Sequence, residues 1–275
     1  MEFLVRKKRQ KDTLHELNVR PSKTRGQNFL TRHDVIDSIV AFADAPADAH
    51  VVEIGPGTGA LTEKISSAHK LTLIEIEAKF CQFLGERFPH ATILNQDARS
   101  TDFALVGQDL FVFGNIPYSF STEILFQLIR CRAAIGTAVL MVQREFAERV
   151  AAPPGGREYG SLSVAVQVHA DVELGPIVSG DCFHPPTAVE SRVMKISFLD
   201  APRVDIGDPD YFEKVVRGAF AQRRKKVANS LLSCGRWNKE QIVSSLHSAG
   251  VSPDTRAEQI TIAQFAELSR ALQAA

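Results

Sequence analysis

Apolar residues along this 275-residue chain gather in short runs, separated by stretches long enough to hold helices. Ala49–Ile54, Leu71–Ile76, Ala91–Leu94, Leu110–Phe113 and Thr137–Val142 have the length and the apolar content of strands. Ala60–Ser67 and Ala78–Phe88, lying between them, carry apolar positions at helical spacing. Alternation of this kind predicts a doubly wound, Rossmann-like α/β sheet. After the Pro- and Gly-rich loop Ala151–Arg157, Ser161–Val168 and Val189–Phe198 read as two more strands that close the sheet as a hairpin. Composition shifts near Asp200-Ala-Pro-Arg203. Beyond it Pro209–Phe220, Arg223–Leu232, Lys239–Ala249 and Ala263–Ala271 follow the helical period, which predicts a small, all-helical C-terminal domain.

Charge adds a third region to this picture. The formal net charge is zero, but it is unevenly spread. Residues 1–32 carry nine Lys/Arg against three Asp/Glu, and residues 33–198 carry twelve against twenty. The expected organisation is a basic arm over 1–25, an α/β domain over 26–200 and a helical domain over 201–275. The arm, with Lys23 and Arg25, and the run Arg223-Arg224-Lys225-Lys226 are the candidates for contact with nucleic acid. A solvated surface is the plainer reading of such a run.

Composition narrows the class further. At 44% hydrophobic and 23% charged, the chain has the make-up of a soluble globular protein. No apolar run reaches the roughly 18 residues of a membrane span, and MEFLVRKKRQ lacks the apolar centre of a secretory signal. Cys81, Cys131, Cys182 and Cys234 are scattered without a Cys-x-x-Cys pair, which speaks against a metal site and for a reducing compartment, the cytoplasm. No dimerisation signal is present, so a monomer is expected.

The first strand of the sheet runs into Gly55-Pro-Gly-Thr-Gly59. Glycines there permit a tight turn and let a ligand approach the backbone. A simple turn, a dinucleotide site and an S-adenosylmethionine (SAM) site are the three readings. The dinucleotide pattern G-x-G-x-x-G fails, because Gly59 follows Gly57 after one residue. Glu75 ends the second strand, where a carboxylate can accept from both ribose hydroxyls. Asp97 follows the third strand, where it can accept from an adenine amine, and Asn115 follows the fourth. Three acceptors thus reach the carboxyl edge, where open α/β sheets bind ligands. No Lys or Arg lies within Gly55–Leu61 to meet a pyrophosphate. An electronegative rim suits a sulfonium cation better than a phosphate. SAM is therefore the expected cofactor.

Asn115-Ile-Pro-Tyr118 then gains a chemical reading beyond that of a turn. An exocyclic adenine amine is a weak nucleophile, since its lone pair is delocalised into the ring. The Asn115 side-chain oxygen and the Ile116 carbonyl can accept its two hydrogens and free the lone pair for attack. Pro117 stiffens the turn, and the Tyr118 ring can stack on the base, a contact worth about 1–3 kcal/mol. No strong base is required. Alignment alone can supply roughly 7–11 kcal/mol of a barrier.

Lys23–Leu30, Glu53–Gly59, Gln96-Asp-Ala98, Asn115-Ile-Pro-Tyr118, Tyr159–Val164, Phe183–Ser191, Phe220–Lys225 and Arg256-Ala-Glu258 resemble the motifs of KsgA-type rRNA adenine dimethyltransferases. The resemblance runs from about residue 22 to the end. It implies dimethylation at N6 of two adjacent adenosines in a hairpin near the 3′ end of 16S rRNA, in the small ribosomal subunit, with a role in subunit biogenesis. It also implies Gln27, Asn28, Leu30, Gly55, Gly57, Glu75, Ile76, Asp97, Ala98 and Asn115 as cofactor contacts. Phe183, otherwise an ordinary core aromatic, would clamp an extruded adenine against Tyr118. Ile116 departs from the Leu of the small-subunit enzymes and matches the related Erm-type enzymes of large-subunit rRNA, which confer macrolide resistance. Tyr159–Ser163, Gln222–Lys225 and Arg256-Ala-Glu258 resemble the small-subunit group instead. An assembly or transcription factor on the same fold is the alternative outside catalysis. Ser119-Phe120 stands where the family has Asn-Ile, and nothing in the sequence accounts for it.

Overall fold

The computed structural model describes residues 10–22, 26–68 and 70–275. Its strands are β1 (Phe29–Leu30), β2 (His50–Ile54), β3 (Lys70–Glu75), β4 (Thr92–Asn95), β5 (Leu110–Asn115), β6 (Ile135–Gln143), β7 (Ala170–Val178), β8 (Phe183–His184) and β9 (Ser191–Phe198). Its helices are α1 (Gln10–Glu16), α2 (His33–Ala43), α3 (Thr62–Ile65), α4 (Ala78–Arg87), α5 (Ser121–Arg130), α6 (Arg144–Ala151), α7 (Ser161–Gln167), α8 (Pro209–Phe220), α9 (Val227–Ser233), α10 (Lys239–Ser248) and α11 (Ile262–Ala274).

Seven strands form one sheet in the order β4-β3-β2-β5-β6-β9-β7. The strands β2 to β6 pair in parallel, and β9 runs antiparallel to β6. Parallel strands are covered on both faces, which is why β2 and β5 read as continuous apolar runs. Val51, Phe111 and Phe113 face a core shared with Ile36, Ile39, Phe80 and Leu84, while Val52 and Val112 are buried on the opposite face. Strand order reverses between β2 and β5, so their carboxyl ends diverge into a crevice, the place where such sheets bind ligands.

A separate ribbon supplies one wall of that crevice. The short strands β1 and β8 pair antiparallel, Phe29 opposite His184 and Leu30 opposite Phe183. Thr31 anchors the ribbon, its amide and hydroxyl both donating to the Cys182 carbonyl at 2.8 Å. Part of the expected N-terminal arm is helical: α1 buries Leu14 in the core of the sheet. Among the described residues, no helix is long and apolar enough to cross a membrane, and no cluster of His, Cys, Asp or Glu is arranged to hold a metal.

The chain divides into two compact units, 1–147 with 173–198, and 148–172 with 199–275. The helical unit therefore reaches beyond the expected 201–275 and takes in residues 148–172. Its core explains why. Tyr159, Val164 and Val168 are buried with Phe212, Val215, Leu231, Leu246 and Phe265. Capping polar groups fix the helix starts. Asp208 accepts from the amides of Asp210 and Tyr211, and Asn238 and Thr261 form capping boxes with Gln241 and Gln264.

Two expected elements differ. Ser161–Val168 is not a strand. Residues 161–167 form α7, and the strand beside β9 is β7. Val164, Val166 and Val168 alternate as in a strand, but Val164 and Val168 also stand four apart, on one helical face buried in the same core. Ser163 decides between the two periods, accepting from the Gly160 amide and donating to the Arg149 carbonyl. The helix expected from Arg223 begins at Val227, and residues 221–226 form a turn. Like charges three apart would repel on a helix, whereas in the turn Arg223 donates to the carbonyls of Arg157 and Tyr159.

Candidate active site

Beyond β2 the chain turns through Gly55, Gly57 and Gly59, each at positive φ, where a side chain is strained. At Gly57 a Cβ would also lie 2.8 Å from the Phe29 ring of β1, so the loop sits against the ribbon only without one. At Gly55 a Cβ would meet nothing within 4 Å. That backbone faces open space in the crevice.

Glu75 closes the loop from the end of β3. Its Oε2 accepts from the Gly57 amide at 3.1 Å and its Oε1 from the Glu77 amide at 2.9 Å. Burial raises the carboxyl above its ordinary range, and the two amide donors pull it partly back. Ile76 beside it is half exposed, and Ala98 is buried. Asp97 is bound by Arg99, whose amide and side chain both reach the carboxylate and hold its pKa low.

Asn115 ends β5 with its amide fixed: Nδ2 donates to the Asn28 carbonyl at 3.0 Å. In this orientation, assigned from the hydrogen-bond network, Oδ1 is the atom left to accept. Asn28 is positioned by its own bond to the Gly26 carbonyl, and Gln27 is braced against Ser22 through two bonds. The Ile116 amide donates to the Met141 carbonyl, and its buried side chain occupies the space a Cβ on Gly114 would need. The Tyr118 hydroxyl is 2.7 Å from Ser191 Oγ at the start of β9, which holds the ring in place. Phe183 of β8 is buried at the same crevice.

A cleft of about 250 Å³ brings these residues together. Gln27, Asn28, Leu30, Gly55, Gly57, Glu75, Ile76, Asp97 and Ala98 line it, as do Asn115, Ile116, Pro117, Tyr118 and Phe183. Phe29, Arg99 and Phe120 also line it, and Ser191 supports it; the sequence reading missed all four. The QNFL and ES segments contained Phe29 and Ser191, but their roles depend on pairing across β1–β8 and on a contact 73 residues distant.

The charged lining is Glu53, Glu75, Asp97 and Arg99. Burial pushes the Glu53 carboxyl up to about 8, the Glu75 charge adds to the rise, and a 2.5 Å bond from Thr62 Oγ1 opposes it. Glu53 is thus mostly neutral at pH 7, and Arg99 is already paired with Asp97. Among the described residues no lining cation is left over for a phosphate, and the remaining acceptors suit ribose hydroxyls, an amine and a sulfonium. The residues fit SAM.

Glu53 also makes stability pH-dependent. Its folded pKa of about 8 lies above the ordinary 4.5, so the native state keeps a proton that the unfolded chain releases. Stability is full below the lower value and falls as pH rises toward the upper one. Glu53→Gln, which cannot ionise and still accepts from Thr62, should exceed wild type by about 2–5 kcal/mol at pH 9 and by little at pH 5. Urea unfolding at both pH values checks this. Parallel stability profiles for the two proteins would mean Glu53 is not held neutral.

In the helical unit, Arg224, Lys225 and Lys226 are exposed in the turn before α9, and Lys226 pairs with Asp254 at 2.7 Å. Arg223 is tied to backbone carbonyls. Lys23 and Arg25 lie outside the described residues.

Relatives bear on what this cleft serves. Residues 19–274 match the family profile described as ribosomal RNA adenine dimethylase. The ribosomal RNA small subunit methyltransferase A of Latilactobacillus sakei is 38% identical, over 99% of this chain and 96% of its own length. The protein of the same description from Geobacter metallireducens is 37% identical, over 93% and 97%. Among solved structures, a dimethyladenosine transferase from Plasmodium falciparum superposes with a TM-score of 0.75 at 24% identity, covering 87% of this chain and 95% of that one. The 23S rRNA methyltransferase ErmE gives 0.68 at 23%, covering 90% and 100%. These two likenesses concern the fold alone. With the profile spanning nearly its whole length, the chain belongs to the ribosomal RNA adenine dimethylase family.

Proposed function

We propose that this protein uses SAM to dimethylate N6 of two adjacent adenosines in the hairpin near the 3′ end of 16S rRNA, on the small ribosomal subunit. The observation that supports this reading best is the fixed amide of Asn115. Its Nδ2 is engaged by the Asn28 carbonyl, so its oxygen is presented to an incoming amine beside Tyr118.

Bound SAM supplies an electrophilic methyl group on a sulfonium. Asn115 Oδ1 and the Ile116 carbonyl accept the two amine hydrogens and turn the nitrogen lone pair toward that methyl. Tyr118, held by Ser191, and Phe183, held by the β1–β8 ribbon, offer two aromatic faces to an adenine flipped out of its helix. Those faces offset an extrusion cost of about a few kcal/mol. Held there, the amine nitrogen would take the methyl from SAM with the bonding pair staying on sulfur, and the amine proton would leave to water, so no residue of this chain has to act as a base. Glu53 is not a base in this scheme, since it is largely protonated and bonded to Thr62.

The exposed Arg224 and Lys225, with the basic arm that includes Lys23 and Arg25, hold rRNA by charge, so binding weakens steeply with salt. The protein works as a monomer in the cytoplasm, in keeping with its free thiols, and takes part in subunit biogenesis. Ile116 is the observation that favours an Erm-type substrate in the large subunit. Against it stand relatives of 35–38% identity that carry the small-subunit description. Incubating labelled SAM with unmethylated small and large subunits, then mapping the modified nucleoside, separates the two. Dimethyladenosine in the small subunit is expected. Label confined to the large subunit would overturn the reading, and label in neither would point to an assembly role without catalysis.

A further inference from the structure

Arg99 and Phe120 have no part in the proposed transfer, yet together they link Asp97 to the Asn115–Tyr118 segment along the lining of the cleft. Phe120 closes a single turn begun at Tyr118, its amide donating to the Pro117 carbonyl at 2.9 Å, so its ring is fixed to the Asn115–Tyr118 segment. The Arg99 guanidinium lies over that ring, 4.4 Å from its centroid. From there it reaches back to Asp97. Nε lies 3.0 Å from both carboxylate oxygens, Nη2 lies 2.5 Å from Oδ2, and the Arg99 amide donates to Oδ1 at 2.9 Å.

That arrangement fixes the plane of the Asp97 carboxylate from one side. An ionised carboxylate offers about four lone-pair sites, and Arg99 brings three N–H groups to it. Because the Nε hydrogen is shared between the two oxygens, three hydrogens meet the carboxylate in four contacts, and capacity remains for one more, from an amine. A planar fork can impose this geometry, and a lysine ammonium cannot. The aromatic platform keeps the fork from swinging into solvent, for both Arg99 and Asp97 are partly exposed.

We infer that Arg99, seated on Phe120, is a positioning residue that aims Asp97 at the exocyclic amine of the cofactor's adenine and so sets the nucleobase selectivity of the cofactor site. This rests on the SAM reading above. It also gives Phe120, one of the two residues that depart from the family pattern after Tyr118, a physical role. Through Phe120 the selectivity of the cofactor site is joined to the segment that presents the substrate amine.

The test measures binding, by calorimetry, of S-adenosylhomocysteine and of its hypoxanthine counterpart, S-inosylhomocysteine, which has a carbonyl in place of the amine. Wild type should prefer the adenine ligand. Arg99→Leu should reduce that preference about tenfold, the worth of one hydrogen bond to a charged group. Arg99→Lys, keeping the charge without the fork, should not restore it, and Phe120→Ala should lose about threefold. An Arg99→Leu variant that weakens both ligands equally would overturn the inference, as would full restoration by Lys. If wild type bound neither ligand, the cofactor reading itself would fall instead.

Discussion

Asn115→Ala should lower the single-turnover rate of methyl transfer by about 10²–10³-fold, the usual consequence of deleting one preorganised polar partner of a reacting group. The dissociation constant for S-adenosylhomocysteine should rise no more than about tenfold, the scale of one hydrogen bond. The asymmetry follows from which atom does what. Nδ2 is engaged with the Asn28 carbonyl in the cleft wall, while Oδ1 is the proposed acceptor of the amine. Alanine removes both, but only the second acts on the reacting nitrogen. Asn115→Asp separates them further. It keeps an acceptor but turns a carboxylate toward the Asn28 carbonyl, so cofactor affinity should suffer more than in the alanine variant. Activity within a few-fold of wild type in Asn115→Ala would remove the amine-acceptor role.

The strands that carry this chemistry were legible because a parallel sheet buries both faces, leaving unbroken apolar runs such as Leu110–Phe113 that end abruptly in polar residues. Glu75, Asp97 and Asn115 could therefore be placed on one rim from order alone. Side chains that act through distant partners could not. Asn28 meets Asn115 across 87 residues and Tyr118 meets Ser191 across 73, and no local pattern encodes either contact. Secondary structure failed where two periods coincided. Val164 and Val168 satisfy both strand alternation and a helical face, and tertiary burial decides for the helix. The basic run at Arg223 misled for another reason. Its helix starts only after the charges, because Arg223 is drawn into backbone contacts.

Glu75→Gln should weaken binding of S-adenosylhomocysteine by about 100-fold, the sum of one or two hydrogen bonds to a charged acceptor. The site explains why a near-isosteric change is expected to do so much. The carboxylate already accepts from the Gly57 and Glu77 amides, one at each oxygen, and has further lone pairs to offer the ribose. A glutamine retains one of these acceptors and turns an NH₂ group toward the other backbone N–H. The glycine loop then loses its tie to β3 at the point where the ligand approaches it. Acid should act on wild type in the same direction. Burial raises the Glu75 carboxyl above 4.5, so protonation begins at a higher pH than for an exposed glutamate and affinity falls from there downward. In Glu75→Gln that acid limb should vanish, leaving weak binding that hardly varies with pH. Titrations across the acid range distinguish this from a loop that has merely unfolded, which would give no measurable binding at any pH. Unchanged affinity in the variant would take the ribose away from Glu75.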